Sequence, residues 1–448
     1  MRLTEMVDRG IEAGAAAVIA SHSASVNCRL ANSTVTTNGH EESTSAGVVA
    51  IEDDRVGVRA ADIQDEAQLR KLAEEAIDSA RNAPLAPDAM PLLMPREAAQ
   101  QRQDDWELDQ RGLDPLLPGL QRALEDSRRS DLQLYGYAQL SQETELLGTV
   151  TGVRLRGHRR AGSLSLTLKT PDLKRSVWSG RVATSLEAID VDQMYRRLRE
   201  RLVWTENQLE LTPGHYQVLL EPSAAADMLV RLGWEMHARG ADEERTVFAG
   251  PNGSRVGEQM YAPAITVESE PDAPEMLSTN FTRTLSSSEY GSVFDLGLAQ
   301  GRTKWIDGGV QQDLICPRRW AQDHGHQVRP DCENLRLVGT DTSLEQMIAA
   351  TERALLITSL WYIRDVDPST LLLTGLTRDG VFLIERGRVV GAVNNFRFNE
   401  SPVRVLANTS EIGRAELALS REVGDSVFIE APPIRVEGFF MSSVSDSI

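Results

Sequence analysis

The polar side chains most suggestive of chemistry lie among short apolar runs from Leu371 to Arg404, LLLTGLTRDGVFLIERGRVVGAVNNFRFNESPVR. Arg378, Asp379, Asn394, Asn395, Arg397, Asn399 and Glu400 supply guanidinium, carboxamide and carboxylate groups, which can grip another chain's backbone or simply face water at a sheet edge. Metal and nucleophile signatures are incomplete. Glu235-Met236-His237 is the nearest approach to HExxH, but a zinc helix needs two imidazoles one turn apart, and a solvated histidine near a helix C-terminus explains His237. His324-Gly325-His326, with Cys332 nearby, offers two imidazoles without a full ligand set, and reads as a polar loop. No GxSxG, GxxxxGK[ST] or GxGxxG occurs, so no catalytic residue is assigned from motifs.

The elements that would position these groups follow from periodicity. Asp379-Gly380 and Arg386-Gly387, set between β-branched and aromatic residues, predict hairpin turns and an antiparallel meander. Upstream, Leu3, Met6, Val7, Ile11, Ala15, Val18 and Ile19 predict an opening helix with Gly14 inside it, and Leu69 to Ala80 predicts another. VVAIEDDRVGVRAA predicts a hairpin turning at Asp53-Asp54. Pro84, Pro87, Pro91 and Pro95 mark a boundary. Helices are expected near Leu116–Arg129, from Val191 with Asp190 and Gln193 as cap, and from Pro222 with Gly240 as C-cap. A long hairpin around Leu155 is expected to turn between Gly157 and Gly162. The fold class is α+β: an N-terminal α/β layer unit, then a large, mainly antiparallel β C-terminal domain with flanking helices. The expected divisions are an N-terminal domain at 1–82, a Pro-rich linker at 83–95, a helix and hairpin region at 96–210, a β-rich domain at 211–440 and a flexible tail at 441–448.

Composition narrows the function. The 448 residues carry a formal charge of -19, which repels phosphate backbones and argues against nucleic-acid binding. The exception, Arg154, Arg156, His158, Arg159 and Arg160, falls at the expected hairpin tip and reads as a solvated turn. Three cysteines without CxxC spacing point to a reducing compartment, and no stretch has the character of a signal peptide or membrane span. A cytoplasmic protein with no membrane partner is expected.

The N-terminal helix-strand-helix unit, TVFAGPNGSRVGEQM, KWIDGGVQQDL and TRDGVFLIERGRVVGAVNNFRF together resemble the TldD/PmbA proteins, also called TldD/TldE. That resemblance implies a cytoplasmic, heterodimeric metallopeptidase acting on small, unfolded or modified peptides. Its catalytic subunit carries an HExxxH helix and a cysteine ligand near the C-terminus. Here the helix over Ala224–Arg239 takes the corresponding place without HExxxH, and no cysteine follows Cys332. The resemblance is therefore to the PmbA/TldE-type subunit, with no cofactor of its own and with zinc or iron in an HExxxH-bearing partner. Arg378, Asn394, Asn395 and Arg397 then become candidates for holding a peptide or small amide substrate, or the partner. A stand-alone amide hydrolase using His237, His324 or His326, and a scaffold that takes up a peptide strand, remain the alternatives.

Overall fold

The structure, a computed structural model, describes residues 1–102, 106–251 and 253–445. Its first layer is a six-stranded antiparallel sheet of β1 (Ala17–Ala31), β2 (Thr34–Glu52), β3 (Arg55–Asp62), β4 (Gln133–Thr149), β5 (Arg154–Lys169) and β6 (Ser176–Ala183), ordered β3-β2-β1-β4-β5-β6. Side chains alternate across a strand, so Val18 and Ala20 face the helices α1 (Leu3–Glu12) and α2 (Glu66–Asn82). Ala17 and Ile19 face the other way, onto Phe281, Val293 and Phe294. Farther along the sheet, α3 (Leu117–Arg129) and α4 (Val191–Trp204) bury Leu120, Leu124, Met194 and Leu198 against Leu30, Leu140 and Leu166.

Local signals in this half were read well where caps and turns are short-ranged. Asp53 and Asp54 take φ of 48° and 61° at the expected β2–β3 turn, and the Asp190 carboxylate accepts the Gln193 N–H at 2.8 Å. Two expectations are corrected. The opening helix stops at Glu12, because Gly14 adopts φ +100° and turns the chain into β1, so Val18 and Ile19 belong to a strand. The β4–β5 turn falls at 150–153, which puts Gly157, Gly162 and the basic cluster inside β5. Three of its cations are engaged there: Arg154 meets Asp8 at 3.2 Å, Arg159 lies over Phe428, and Arg160 bonds Gln142 at 3.0 Å. One sheet also unites strands on both sides of the proline-rich stretch 83–95.

In the C-terminal half, Arg353–Ile357 pairs with Val381–Glu385, and Leu360–Asp367 with Leu372–Thr377. Arg388–Val393 and Phe396–Glu400 extend the same two ladders. These are three long strands, 353–367, 372–385 and 388–400, each bent once. Phe396–Glu400 pairs onward with Ile434–Val444, then Gly214–Leu220, which returns in parallel to Arg353–Ile357. The ladder thus closes into a ring of five strands, an arrangement that leaves few free edges. The expected meander is present, and Arg386-Gly387 is its hairpin turn. Asp379-Gly380 is not a turn but the bend of the middle strand.

The helix α5 (Pro222–Glu235) packs between this ring and a second six-stranded sheet whose members include Val267–Ser269, Asn334–Leu337 and Gly424–Ala431. Pro432-Pro433 carries the chain from Ala431 in that sheet to Ile434 in the ring, so the suspected interrupted strand is two strands of different sheets. Met441–Val444 belongs to the ring rather than to a flexible tail, recruited by backbone pairing with Phe396–Phe398; residues 446–448 lie outside the described residues. Among the described residues no helix is long and apolar enough to cross a membrane. The architecture is α+β with mostly antiparallel sheets, as the sequence implied.

The tightest helix–sheet contact is at Gly57 on β3, where an added Cβ would lie 2.0 Å from the Ala76 carbonyl oxygen of α2. Gly57→Ala is expected to cost roughly 1–3 kcal/mol of stability, because backbone on both sides must shift. Urea unfolding of the two proteins checks this.

Candidate functional site at the strand bends

The bends of the three ring strands fall side by side, at Thr358-Ser359, Arg378-Asp379-Gly380 and Asn394-Asn395. The central one depends on glycine. Gly380 has φ +153°, and a Cβ there would sit 2.1 Å from Thr358 Oγ1. Thr358 uses its N–H, at 3.0 Å, and its hydroxyl, at 3.2 Å, to hold the Gly380 carbonyl. A bend interrupts the ladder and turns side chains out of the sheet plane.

Asp379 then becomes the joint between the ring and the N-terminal sheet. Its carboxylate accepts hydrogen bonds from Ser176 of β6 and from Arg421, while its carbonyl accepts the Trp178 N–H at 3.2 Å. The Arg421 guanidinium lies 5.1 Å from the ring centres of both Trp178 and Trp361, and donates to Ser359 Oγ at 2.9 Å. Burial pushes the Asp379 carboxyl up, but the charge and hydrogen bond of Arg421, aided by Ser176 and Arg378, outweigh burial and hold it below the ordinary value. A second buried tie runs beside it: Arg201 of α4 reaches both Glu221 carboxylate oxygens at 2.7 Å and the Trp178 carbonyl at 3.3 Å.

These contacts frame an open cavity of about 530 Å³. Lys174 and Arg175, from the β5–β6 connection, and Ser176, at the start of β6, line it together with Asp379-Gly380, Asn394-Asn395 and Gln208–Glu210. Two of the four candidate contact residues, Asn394 and Asn395, therefore converge here. Asn394 Oδ1 accepts the Leu211 N–H at 2.7 Å, and its Nδ2 is buried without a hydrogen-bond partner. Arg378 stands next to the cavity with Nε 3.5 Å from Asp379 Oδ2, whereas Arg397 is directed to Thr374 Oγ1 at 3.3 Å and does not line it. Sequence inspection passed over Arg421, Lys174 and Arg175, which lie far from the bends in the chain and carry no local signature.

The histidines fall elsewhere. His237 is buried rather than solvated, because α5 ends at Glu235 and His237 caps the short helix Ala238–Asp242, its Nδ1 accepting the Gly240 N–H at 3.0 Å. Gly240 is thus inside that helix and not the cap of α5. His324 stacks on Trp320 at 3.8 Å between ring centres, and His326 Nε2 contacts Asp242 Oδ2 at 2.7 Å. Cys332 instead lines a small cavity beside the end of α5 with Trp234, Met236 and Tyr290.

Along α5 the buried residues include Ala224, Ala225, Ala226, Met228, Leu229, Val230 and Leu232, with one carboxylate, Asp227. Asp227 Oδ1 accepts the Ser420 hydroxyl at 2.6 Å, and burial pushes its carboxyl up to about 7. Burial likewise pushes the Cys332 thiol up. A catalytic zinc takes three converging nitrogen, sulfur or carboxylate donors, and the residues at this helix do not fit that requirement. Among the described residues no group of three or more His, Cys, Asp and Glu is arranged to hold a metal ion.

The ring, the six-stranded sheets and the intervening helix define a protein of the α+β class, and comparison places it. Residues 213–443, just over half the chain, match the PmbA/TldA metallopeptidase C-terminal domain, and residues 16–80 match domain 1 of the same proteins. The chain belongs to the PmbA/TldD metallopeptidase family. TldE from Thermococcus kodakarensis has a similar fold, with a TM-score of 0.82 at 17% identity over 98% of this chain and 99% of that one. A proposed modulator of DNA gyrase from Bacteroides thetaiotaomicron is similar at TM-score 0.79 and 15% identity, covering 99% and 98% of the two chains. Another from Thermotoga maritima gives 0.78 and 16%, covering 98% and 100%. No curated protein matches the sequence.

Two expectations follow from the carboxylates. Asp379 is depressed in the fold, so its stabilising effect is present above the ordinary aspartate value and is lost as pH falls through the native one. Asp379→Asn is expected to lower stability by about 3–5 kcal/mol at pH 7, by stranding Arg421, and the gap to the parent should close below roughly pH 4. Asp227 has the opposite sign: its carboxyl, raised to about 7 in the fold, means that stability is lost as pH rises from the ordinary aspartate value through the native one. Asp227→Asn should melt higher than the parent at pH 8 and show no such gain at pH 4, measured by thermal unfolding at both pH values.

Proposed function

We propose that this chain is the non-metal-binding subunit of a two-chain TldD/PmbA-type metallopeptidase, which hydrolyses amide bonds in small, unfolded or modified peptides. The observation that carries the reading is α5. The family's metallopeptidase domain is present over 213–443, yet this helix presents alanine, methionine and leucine to the core and has no HExxxH. Likeness of fold to a TldE protein supports the same assignment. On this reading the partner supplies zinc or iron, water activation and the scissile geometry. This chain supplies binding surface through Arg378, Asn394, Asn395 and Arg397, whose carboxamides and guanidinium groups suit an extended backbone or a partner edge.

A stand-alone amide hydrolase has one observation in its favour. The carboxylate of Asp242, which also accepts the Trp320 indole N–H at 2.7 Å, orients His326 at the wall of a cavity of about 480 Å³. A histidine so held can act as a base.

Metal analysis and peptide hydrolysis assays on the chain alone, on an HExxxH-bearing partner alone and on their mixture separate the readings. The subunit reading expects metal only with the partner and turnover only in the mixture. Stoichiometric zinc or iron in the isolated chain, or turnover by it that His326→Ala abolishes, would overturn the reading.

A further inference from the structure

We infer that the cavity at the strand bends is a carboxylate-binding site, suited to the free C-terminal carboxylate of a peptide or to a small organic acid. Donors on two segments, Lys174-Arg175 and Asn394, line the same space. Asn394 is the most informative of them. Its Oδ1 is engaged by the Leu211 N–H, which fixes the orientation of the amide and leaves Nδ2 as the donor; that nitrogen is buried and unpartnered. An orphaned buried donor costs about 1–3 kcal/mol unless something accepts from it, and a group lining a cavity can meet its acceptor in a ligand.

The other segment is cationic. Lys174, one of only four lysines in the chain, makes no ion pair within 4.0 Å among the described residues, and Arg175 has only the distant carboxylate of Glu206 at 3.9 Å. In a molecule of net charge -19, two weakly committed cations beside one cavity stand out against their surroundings. The acidic residues of the lining do not cancel them equally. Asp379 is already neutralised by Arg421, leaving Glu210, exposed at the rim, as the opposing charge. An anion entering the site gains charge-assisted hydrogen bonds from Lys174 and Arg175 and satisfies Asn394 Nδ2.

Size and shape set the ligand class. About 530 Å³ is within the range of small-molecule sites, and the open mouth admits a chain end. A carboxylate matches one neutral N–H donor and two cations. The peptide version of the proposal rests on the peptidase reading above; the carboxylate site itself does not, since it is tested by binding to this chain alone.

The test is calorimetric titration of the full chain with three probes: tetra-alanine with a free carboxylate, the same peptide as its C-terminal amide, and succinate. The expected result is binding of the free acid at least tenfold tighter than the amide, with that preference lost in Lys174→Ala and in Asn394→Asp. Lys174 is exposed and its removal leaves the fold intact, so the test does not depend on Asn394→Asp folding. Tight succinate binding with the same losses would assign the site to a small organic acid; binding of the peptide acid without succinate would assign it to a peptide terminus. Equal affinity for acid and amide, no binding of any probe, or acid binding unchanged in Lys174→Ala would overturn the proposal. Failure of partner-dependent hydrolysis with acid binding intact would remove the peptidase reading and leave this site standing.

Discussion

Much of this molecule depends on the way three long strands bend in register. A ring of five strands cannot close around strands of 13 to 15 residues that stay straight, because the inherited twist would carry their ends apart. The bends at Ser359, Gly380 and Asn395 resolve that conflict, at the cost of local backbone pairing. The polar groups freed there are re-used: Asp379 turns towards β6 and Arg421, and Asn394 turns towards Leu211. The joint between the two halves of the protein and the candidate ligand cavity are thus two results of one geometric constraint.

Packing on either side of the ring shows why the joint is firm. Alternate residues of the same strands serve different cores. Val218, Leu220, Leu355 and Ile357 face α5 and the C-terminal interior, whereas Leu219, Leu356, Phe382 and Ile384 join α3 and α4. Trp204 of α4 meets Phe382 edge-on at 5.1 Å. A strand buried on both faces reads as a continuous apolar run, which is how VFLIE appears in sequence. Burial of that kind also makes the few polar residues inside it consequential, since each needs a partner.

The helix α5 illustrates the same rule from the opposite direction. Its aliphatic side chains fill the space between the ring and the second sheet, and almost nothing polar is left on that face. Asp227 is the one charged group left on the buried face, and its raised carboxyl records how dry that position is. An aspartate within the apolar run SAAADMLV is a visible signal of something unusual, which helical periodicity alone does not register.

Sequence alone was sufficient for what is decided within a few residues. The cap at Asp190, turns at Asp53-Asp54 and Arg386-Gly387, the long helices and the α+β class all follow from local propensity and period, because their energetics involve neighbours in the chain. It also carried the family resemblance and two of the residues that line the cavity, Asn394 and Asn395. Tertiary structure decided the rest. Whether Asp379-Gly380 is a hairpin turn or a bend depends on which strands lie on either side, and these come from residues 353–367 and 388–400. Whether Gly14 sits inside a helix or ends it depends on the strand that follows packing against α1. The partnership of Asp379 with Ser176 and Arg421 spans separations of 203 and 42 residues, beyond the reach of any sequence pattern, because only folding brings those groups within hydrogen-bond distance.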